Sequence, residues 1–534
     1  MFVHRKRHRS GAYSIEVLRK DKYSRKNVTV KIIGTSSNAQ ELLALERKAR
    51  EFIDSQLGQP IPMDYHYSFE DDLESFLSGI SNTQIQVIGP ELIYGRLYDK
   101  IGYGGINNEM FRHLVICRLF NPGSKLRTVE YLRQYLNKDY DVEAIYKFLD
   151  NLCFRKDKDS KKDASGKVVK PSGNDIKHDV ERISYAYTKK ICGGEISVVF
   201  YDMTTLYFEA AQEDDLRKAG FSKDGKHSCP QIFLGLLVTM GGNPIGYGIY
   251  EGNIHEGKTL VPMIKDLAGR HGFDHPVVIA DAGLLSKKNI EDLESEKYEY
   301  ILGARVKSET AEVKEAILGM NLKNGDVRCI DKANGVRLVV SMSDKRAAKD
   351  EAMRKKGLQR LQKRFQSGKL TKANVNNRGY NKYLKMDGDV SVTIDMDKFN
   401  ADAAWDGIKG YVTNTKLSDA EVISNYSNLW FIERAFRMNK GDLRARPIYH
   451  RLHNRIEAHI CICFTAYTIM LELERELKAA KSDITLYQAG RLTKTMYQLN
   501  YKMPNSHRTK SVILQLDSKQ KELYDIVLQN NTKE

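Results

Sequence analysis

The sequence predicts a mixed α/β fold, and three observations carry that prediction. Segment 196–202, ISVVFYD, is a run of β-branched and aromatic residues that closes on Asp202. Segment 276–281, PVVIAD, is a short apolar run of strand length that closes on Asp281. Around them, segments of helical spacing such as GKTLVPMIKDLAGRHG and KKNIEDLESE alternate with strands. That alternation describes a sheet covered by helices on both faces.

Taken in order, residues 1–33 are basic and alternate like strands (GAYSIEVL, NVTVKII), a turn follows at GTSSN, and AQELLALERKAREFIDSQL repeats apolar positions at helical spacing. Residues 91–150 read as helices broken at NPGSK. The Lys-rich, Gly/Pro-punctuated stretch 155–178 reads as a linker. QIFLGLLVTM and PIGYGIYEG predict two strands joined by a Gly-Gly-Asn turn, and Ser286 is placed to cap the next helix. Residues 305–415 break the rhythm with short strands and a basic helical stretch, KRAAKDEAMRKKGLQRLQKRF. Ser418 and Glu421 have capping-box spacing and should open one long helix through Lys440. The expected organisation is an N-terminal region 1–150, a linker 151–180, a core in two parts (181–304 and 416–480), an insertion 305–415 and a helical tail 481–534.

The chain has 534 residues, a formal net charge of +16 and a pI near 9.2, which points to a polyanionic partner, nucleic acid first. The longest apolar run, 232–240, is far short of the ~20 residues of a spanning helix. The N-terminal MFVHRKRHRS lacks the apolar stretch of a secretory signal. Seven scattered cysteines with no CxxC pair argue against a disulfide framework and for a reducing cytoplasm. No membrane partner is expected.

Two aspartates at the carboxyl ends of neighbouring strands would share a crevice, although Asp is also common in turns and caps. Glu433 falls inside the apolar stripe Val422, Tyr426, Leu429, Trp430 and Phe436, where a carboxylate should be buried and therefore paired or metal-bound, unless the chain leaves the core near 433 and Glu433 is solvated. Tyr426, Glu433 and Lys440 are spaced by seven and should point one way. Asp202, Asp281 and Glu433 together make a hard, oxygen-rich set suited to Mg²⁺, with room for two ions flanking a phosphate. Mn²⁺ is the expected substitute.

These residues resemble bacterial insertion-sequence transposases of the DDE type, in the insertion sequence four superfamily. That group carries a Tyr-x2-Arg-x3-Glu-x6-Lys signature, and YSNLWFIERAFRMNK supplies Tyr426, Glu433 and Lys440 at its spacing, with Leu429 in the Arg position. Ala282 also stands where many relatives have Arg. GFSKDGKHSCPQIFLGLLV, YEGNIHEGKT and RARPIYHRLHNRIEAHICI are similar too. The resemblance covers roughly 185–475 and implies an RNase H-like mixed-sheet core with a β-rich insertion. Asp202, Asp281 and Glu433 would be the catalytic metal ligands. The implied partners are double-stranded DNA, both terminal inverted repeats and target, and a second copy of the chain in a synaptic complex. A bacterial, nucleoid-associated location follows.

Tyr426, Arg437, Lys440, Arg444 and Arg446 are the candidate DNA-binding residues, with Arg437, Lys440 and Arg444 near one helical face if the helix persists. The basic stretch from Arg346 to Arg364 fits either DNA or a solvated face. Trp430 is expected in the core, and Glu251 and Glu256 are equally open to metal, DNA or turn roles. Two other functions use the same fold: a stand-alone metal-dependent nuclease, and a DNA-binding regulator with an inactive core.

Overall fold

A computed structural model describes residues 1–21, 25–56, 69–153, 161–162, 168–169, 175–209, 212–222, 225, 228–272, 275–376, 379–387, 391–502 and 509–529. Most of the expected linker lies outside these residues. The chain divides into two compact units, Met1–Ser81 and Asn82–Glu534. Residues 82–150, which the sequence grouped with the N-terminal region, belong to the larger unit because their apolar faces enter its main core.

In the smaller unit, Phe2–Arg7, Tyr13–Lys20 and Asn27–Ser36 form an antiparallel sheet, and helix Ala39–Gln56 covers it. Ile15 and Val17 alternate toward Leu42 and Ala49, which gives this small unit its own core.

We label elements of the larger unit in chain order. Helices α1 (Glu109–Phe120), α2 (Lys125–Leu136) and α3 (Ile176–Ile191) precede the sheet. Strand β1 (Val198–Tyr207) is followed by the hairpin β2 (Gln231–Val238) and β3 (Pro244–Glu251). Gly241 and Gly242, at φ 83° and 85°, supply the left-handed turn predicted there. Helix α4 (Leu260–His271), β4 (Val277–Ala280), α5 (Lys287–Ser295) and β5 (Tyr300–Ala304) follow, and Ser286 caps α5 as expected. The next segment holds β6 (Val327–Asp331), β7 (Arg337–Met342), the 23-residue helix α6 (Asp344–Gln366) and a separate two-stranded ladder. Strand β8 (Ile408–Thr413) closes it, ahead of α7 (Asp419–Ser427), α8 (Trp430–Lys440) and α9 (His453–Ala479).

The main sheet has the order β6-β7-β8-β5-β4-β1-β2-β3. Within it β1, β2 and β3 run antiparallel, while β4 and β5 run parallel to β1. This 3-2-1-4-5 order is the RNase H-like arrangement, widened at the β5 edge by β8, β7 and β6. All positions of β2 are buried, as a strand covered on both faces requires. One face packs Phe200, Ile279 and Ile301 against α7, α8 and α9; the other packs Val199, Val278 and Leu302 against α4 and α5.

Helix α9 is long and apolar enough to cross a membrane, yet 89% of its apolar stretch is buried inside the fold, so it serves here as the central core helix. The tail is helical and also supplies strands Tyr497–Lys502 and Thr509–Ile513, the first pairing with Ile85–Val87.

Candidate catalytic cleft

Asp202 does not end its strand. Strand β1 continues through Thr204–Tyr207 because those residues keep pairing with β2 as far as Gln231. What ends at Asp202 is the pairing with β4, whose last partners are Tyr201 and Ala280. One step further along that parallel register, Asp202 and Asp281 stand side by side on adjacent strands. Side chains alternate along a strand. Asp202 therefore shares a face with Phe200, and Asp281 with Ile279, and that is the face covered by α7 and α8.

The capping box of Ser418 and Glu421 forms as predicted, but the long helix it opens is interrupted. Helix α7 closes at Asn428 and α8 starts at Trp430. The break explains why Glu433 is exposed instead of buried. In α8 the buried stripe is Ile432, Ala435, Phe436 and Asn439. Trp430, Glu433 and Arg437 occupy the opposite, solvent-facing stripe. Trp430 is 47% exposed and lies on Phe431, so the expectation of a core tryptophan is overturned. Phe431 in turn meets Phe200, with ring centroids 6.3 Å apart, which seats α8 on the strand carrying Asp202.

Tyr426 is buried and donates its hydroxyl to Asp281 Oδ1 at 3.4 Å. Burial, followed by the charge of Asp281, holds its phenol above the usual tyrosine range, with Asp202 adding to the effect. The Lys409 ammonium lies 4.4 Å from the centre of the Tyr426 ring. Burial and the neighbouring Arg346 hold Lys409 below the usual lysine range, while Asp281 and Glu433 oppose them. All three carboxylates thus act on one Tyr426–Lys409 pair.

Among the described residues, no group of three or more His, Cys, Asp or Glu side chains stands close enough to hold a metal ion. The expected convergence of the three carboxylates is therefore not reached in the side-chain positions of this structure. Like charges repel unless a cation stands among them. The Lys409 ammonium is the cation on which Asp281 and Glu433 both act, and the three carboxylates offer only oxygen donors. That chemistry fits a hard divalent ion.

Asp281 opens onto a 390 Å³ cleft that is also lined by Gly303, Arg305, Lys307, Arg346 and Lys409. A Cβ at Gly303 would stand 2.5 Å from the Tyr426 hydroxyl and 2.9 Å from the Ala282 nitrogen. Only glycine lets these groups approach. Glu256 reaches the loop after Asp281, its Oε2 3.2 Å from where a Gly283 Cβ would sit.

Sequence reasoning missed Lys409, Arg305 and Lys307. Alternation in GIKGYVT puts Lys409 on the face of Tyr411, a signal that could have found it. Arg346 belonged to the ambiguous basic stretch, and the structure assigns it to the cleft. Arg437 is exposed and Lys440 half-buried at the end of α8. Because the helix stops there, Arg444 sits on the following loop and not on one helical face with Arg437 and Lys440, and Arg446 lies on the same loop.

A family model described as "Transposase DDE domain" matches residues 193–469. No curated protein sequence matches the chain. Among solved structures it is similar to a piggyBac transposase synaptic complex with hairpin DNA, at 9% identity and a TM-score of 0.36, over 84% of this chain and 81% of that one. It is also similar to a Mos1 transposase paired-end complex with the left transposon end, at 11% identity and a TM-score of 0.15, over 48% and 71%. A Mos1 mariner paired-end complex with Mn gives 10%, 0.14, 48% and 72%.

Proposed function

The chain belongs to the transposase DDE-domain family, and from that premise we propose that it cleaves the ends of a DNA element and joins them to target DNA. The observation that carries this reading is the register of β1 and β4, which sets Asp202 beside Asp281 under the helix bearing Glu433. These three residues would hold the divalent ions, two Mg²⁺ with Mn²⁺ as a substitute. When bound, such ions activate the attacking hydroxyl and offset charge on the scissile phosphate. Tyr426 orients Asp281 through its hydroxyl. Arg305, Arg346 and Lys409 line the cleft with positive charge where backbone phosphates would lie. Lys440, and beyond it Arg444 and Arg446, extend that charge along the strand.

The finer reading is a bacterial element of the insertion sequence four superfamily, supported by Tyr426, Glu433 and Lys440 at signature spacing. It acts in the cytoplasm on its own inverted repeats, as a homodimer that pairs two ends. The N-terminal unit, with Arg5, Lys6, Arg7 and Arg9, recognises those repeats. The test joins two arms. The DNA flanking the reading frame should carry inverted repeats bounded by short direct repeats. Purified protein should then move a marker between such ends into a target plasmid. Cleavage of any duplex, without joining and without regard to ends, would replace this reading with a stand-alone nuclease.

A further inference from the structure

Two cations lie buried with no counter-ion among the described residues, outside the residues that line the Asp281 cleft. Arg118 on α1 and Lys125, the first residue of α2, are each only 6% exposed. Arg118 Nη2 lies 3.4 Å from His459 Nδ1, and Nη1 lies 3.5 Å from the Leu443 carbonyl. Its Nε is buried with no hydrogen-bond partner. The titratable neighbours that act on Lys125 are Arg118, Cys117 and Cys463, and none is a carboxylate.

Among the described residues, the rest of the surroundings supply no negative charge. His459 donates Nε2–H to the Ala445 carbonyl at 3.0 Å, so its Nδ1 is the acceptor facing Arg118. Burial holds His459 well below the usual range and His450 down at about 3, so both rings are neutral. Burial raises the thiols of Cys117 and Cys463, which keeps them uncharged. Asp150, the acid that acts on His450, is already held by Arg455 at 2.6 and 2.8 Å.

Burying a charge costs several kcal/mol unless it is paired, and two adjacent like charges add repulsion. The unpaired N–H of Arg118, the Lys125 ammonium and the N-terminus of the 12-residue helix α2 all favour an anion. We infer that Arg118 and Lys125 form a binding site for a tetrahedral oxyanion, a phosphate group, beneath the segment 443–452. That segment anchors on the pocket through the Leu443 and Ala445 carbonyls, and its outer residues Tyr449 and Leu452 are exposed. The phosphate comes either from a DNA backbone or from free inorganic phosphate.

The experiment titrates inorganic phosphate into the full-length chain at constant ionic strength and follows the thermal unfolding midpoint. A saturable rise is expected. Lys125→Met should weaken phosphate at least about tenfold, since one charge-assisted hydrogen bond is lost. Because Met removes an uncompensated charge, this variant should fold. Arg118→Lys, which keeps the charge but loses the fork, should weaken phosphate to a lesser degree. A second arm measures duplex DNA affinity by fluorescence anisotropy. Weaker DNA binding by Lys125→Met, with phosphate competing, assigns the site to a backbone phosphate. Unchanged DNA binding with retained phosphate stabilisation assigns it to the free ion. No saturable phosphate effect on the wild type, or an equal effect on Lys125→Met, would overturn the inference.

Discussion

Tyr426 directs its hydroxyl at Asp281 across 3.4 Å, and the approach depends on the missing side chain of Gly303. Tyr426→Phe keeps the ring contact with Tyr411, whose centroid is 4.8 Å away, and should leave stability within about 1 kcal/mol. End cleavage should slow about tenfold, the effect of one lost hydrogen bond to a carboxylate. Gly303→Ala forces a methyl against the Ala282 backbone as well as the tyrosine, and should cost about 1–3 kcal/mol. Denaturant melts and single-turnover cleavage of both variants check this. A fully active, fully stable Gly303→Ala variant would remove the crowding argument.

Lys409 stands where Asp281 and Glu433 both act on it, so it competes with any bound cation. Lys409→Met should tighten Mn²⁺ binding about fivefold, as loss of roughly 1 kcal/mol of charge repulsion in a partly screened site implies. Electron paramagnetic resonance of free Mn²⁺ reads this without any DNA. Weaker Mn²⁺ binding would mean that the ammonium orders the carboxylates and does not oppose the metal.

The two strands beneath the cleft were legible in the sequence. ISVVFYD and PVVIAD marked the strands of Asp202 and Asp281, because β-branched runs of that length form buried strands. The environment of Glu433 was not legible. Seven-residue spacing gives a shared face only along one unbroken helix, and the chain ends a helix at Asn428. A one-residue change in where the helix restarts moves a side chain by ~100°, which is enough to turn a carboxylate from core to solvent. The roles of Arg346 and Arg305 depend on α6 and the end of β5 meeting at one cleft, and no local pattern records that meeting.

Lys440 and the N-terminal unit should differ in what they contribute to DNA binding. Lys440 is seven residues from Glu433 on α8, about 10 Å along the axis. Lys440→Ala should weaken all sequences alike and lower the salt slope by about one. Deleting residues 1–81 removes a whole compact unit, whereas a cut near residue 30 would split strand Asn27–Ser36. That deletion should abolish preference for the true end over random duplex. Anisotropy with both DNAs across a salt series measures the two effects. A change of sequence preference in Lys440→Ala, with preference intact in the deletion, would reverse the assignment.

Stability without phosphate should depend on pH through Lys125. Burial, followed by the charge of Arg118, holds it down at about 7 against the usual lysine value of 10.5. Between those values the unfolded chain binds the proton and the folded chain does not, so stability rises with pH across that window. Below pH 7 the penalty is fully present. Lys125→Met should flatten the rise, and phosphate should reduce it in the wild type. Denaturant midpoints between pH 7 and 10 check this, and identical slopes for variant and wild type would contradict it.

The central claim is that Asp202, Asp281 and Glu433 act as one site. Its most direct measurement is cleavage of a labelled end duplex in Mg²⁺ by Asp202→Asn, Asp281→Asn and Glu433→Gln, with a gel shift alongside. Each variant removes one negative charge and almost no volume. DNA affinity comes mainly from Lys and Arg and should be retained. The account predicts that all three bind the end normally and none cleaves it; near-normal cleavage by any one of them would contradict the shared site and remove that residue from it.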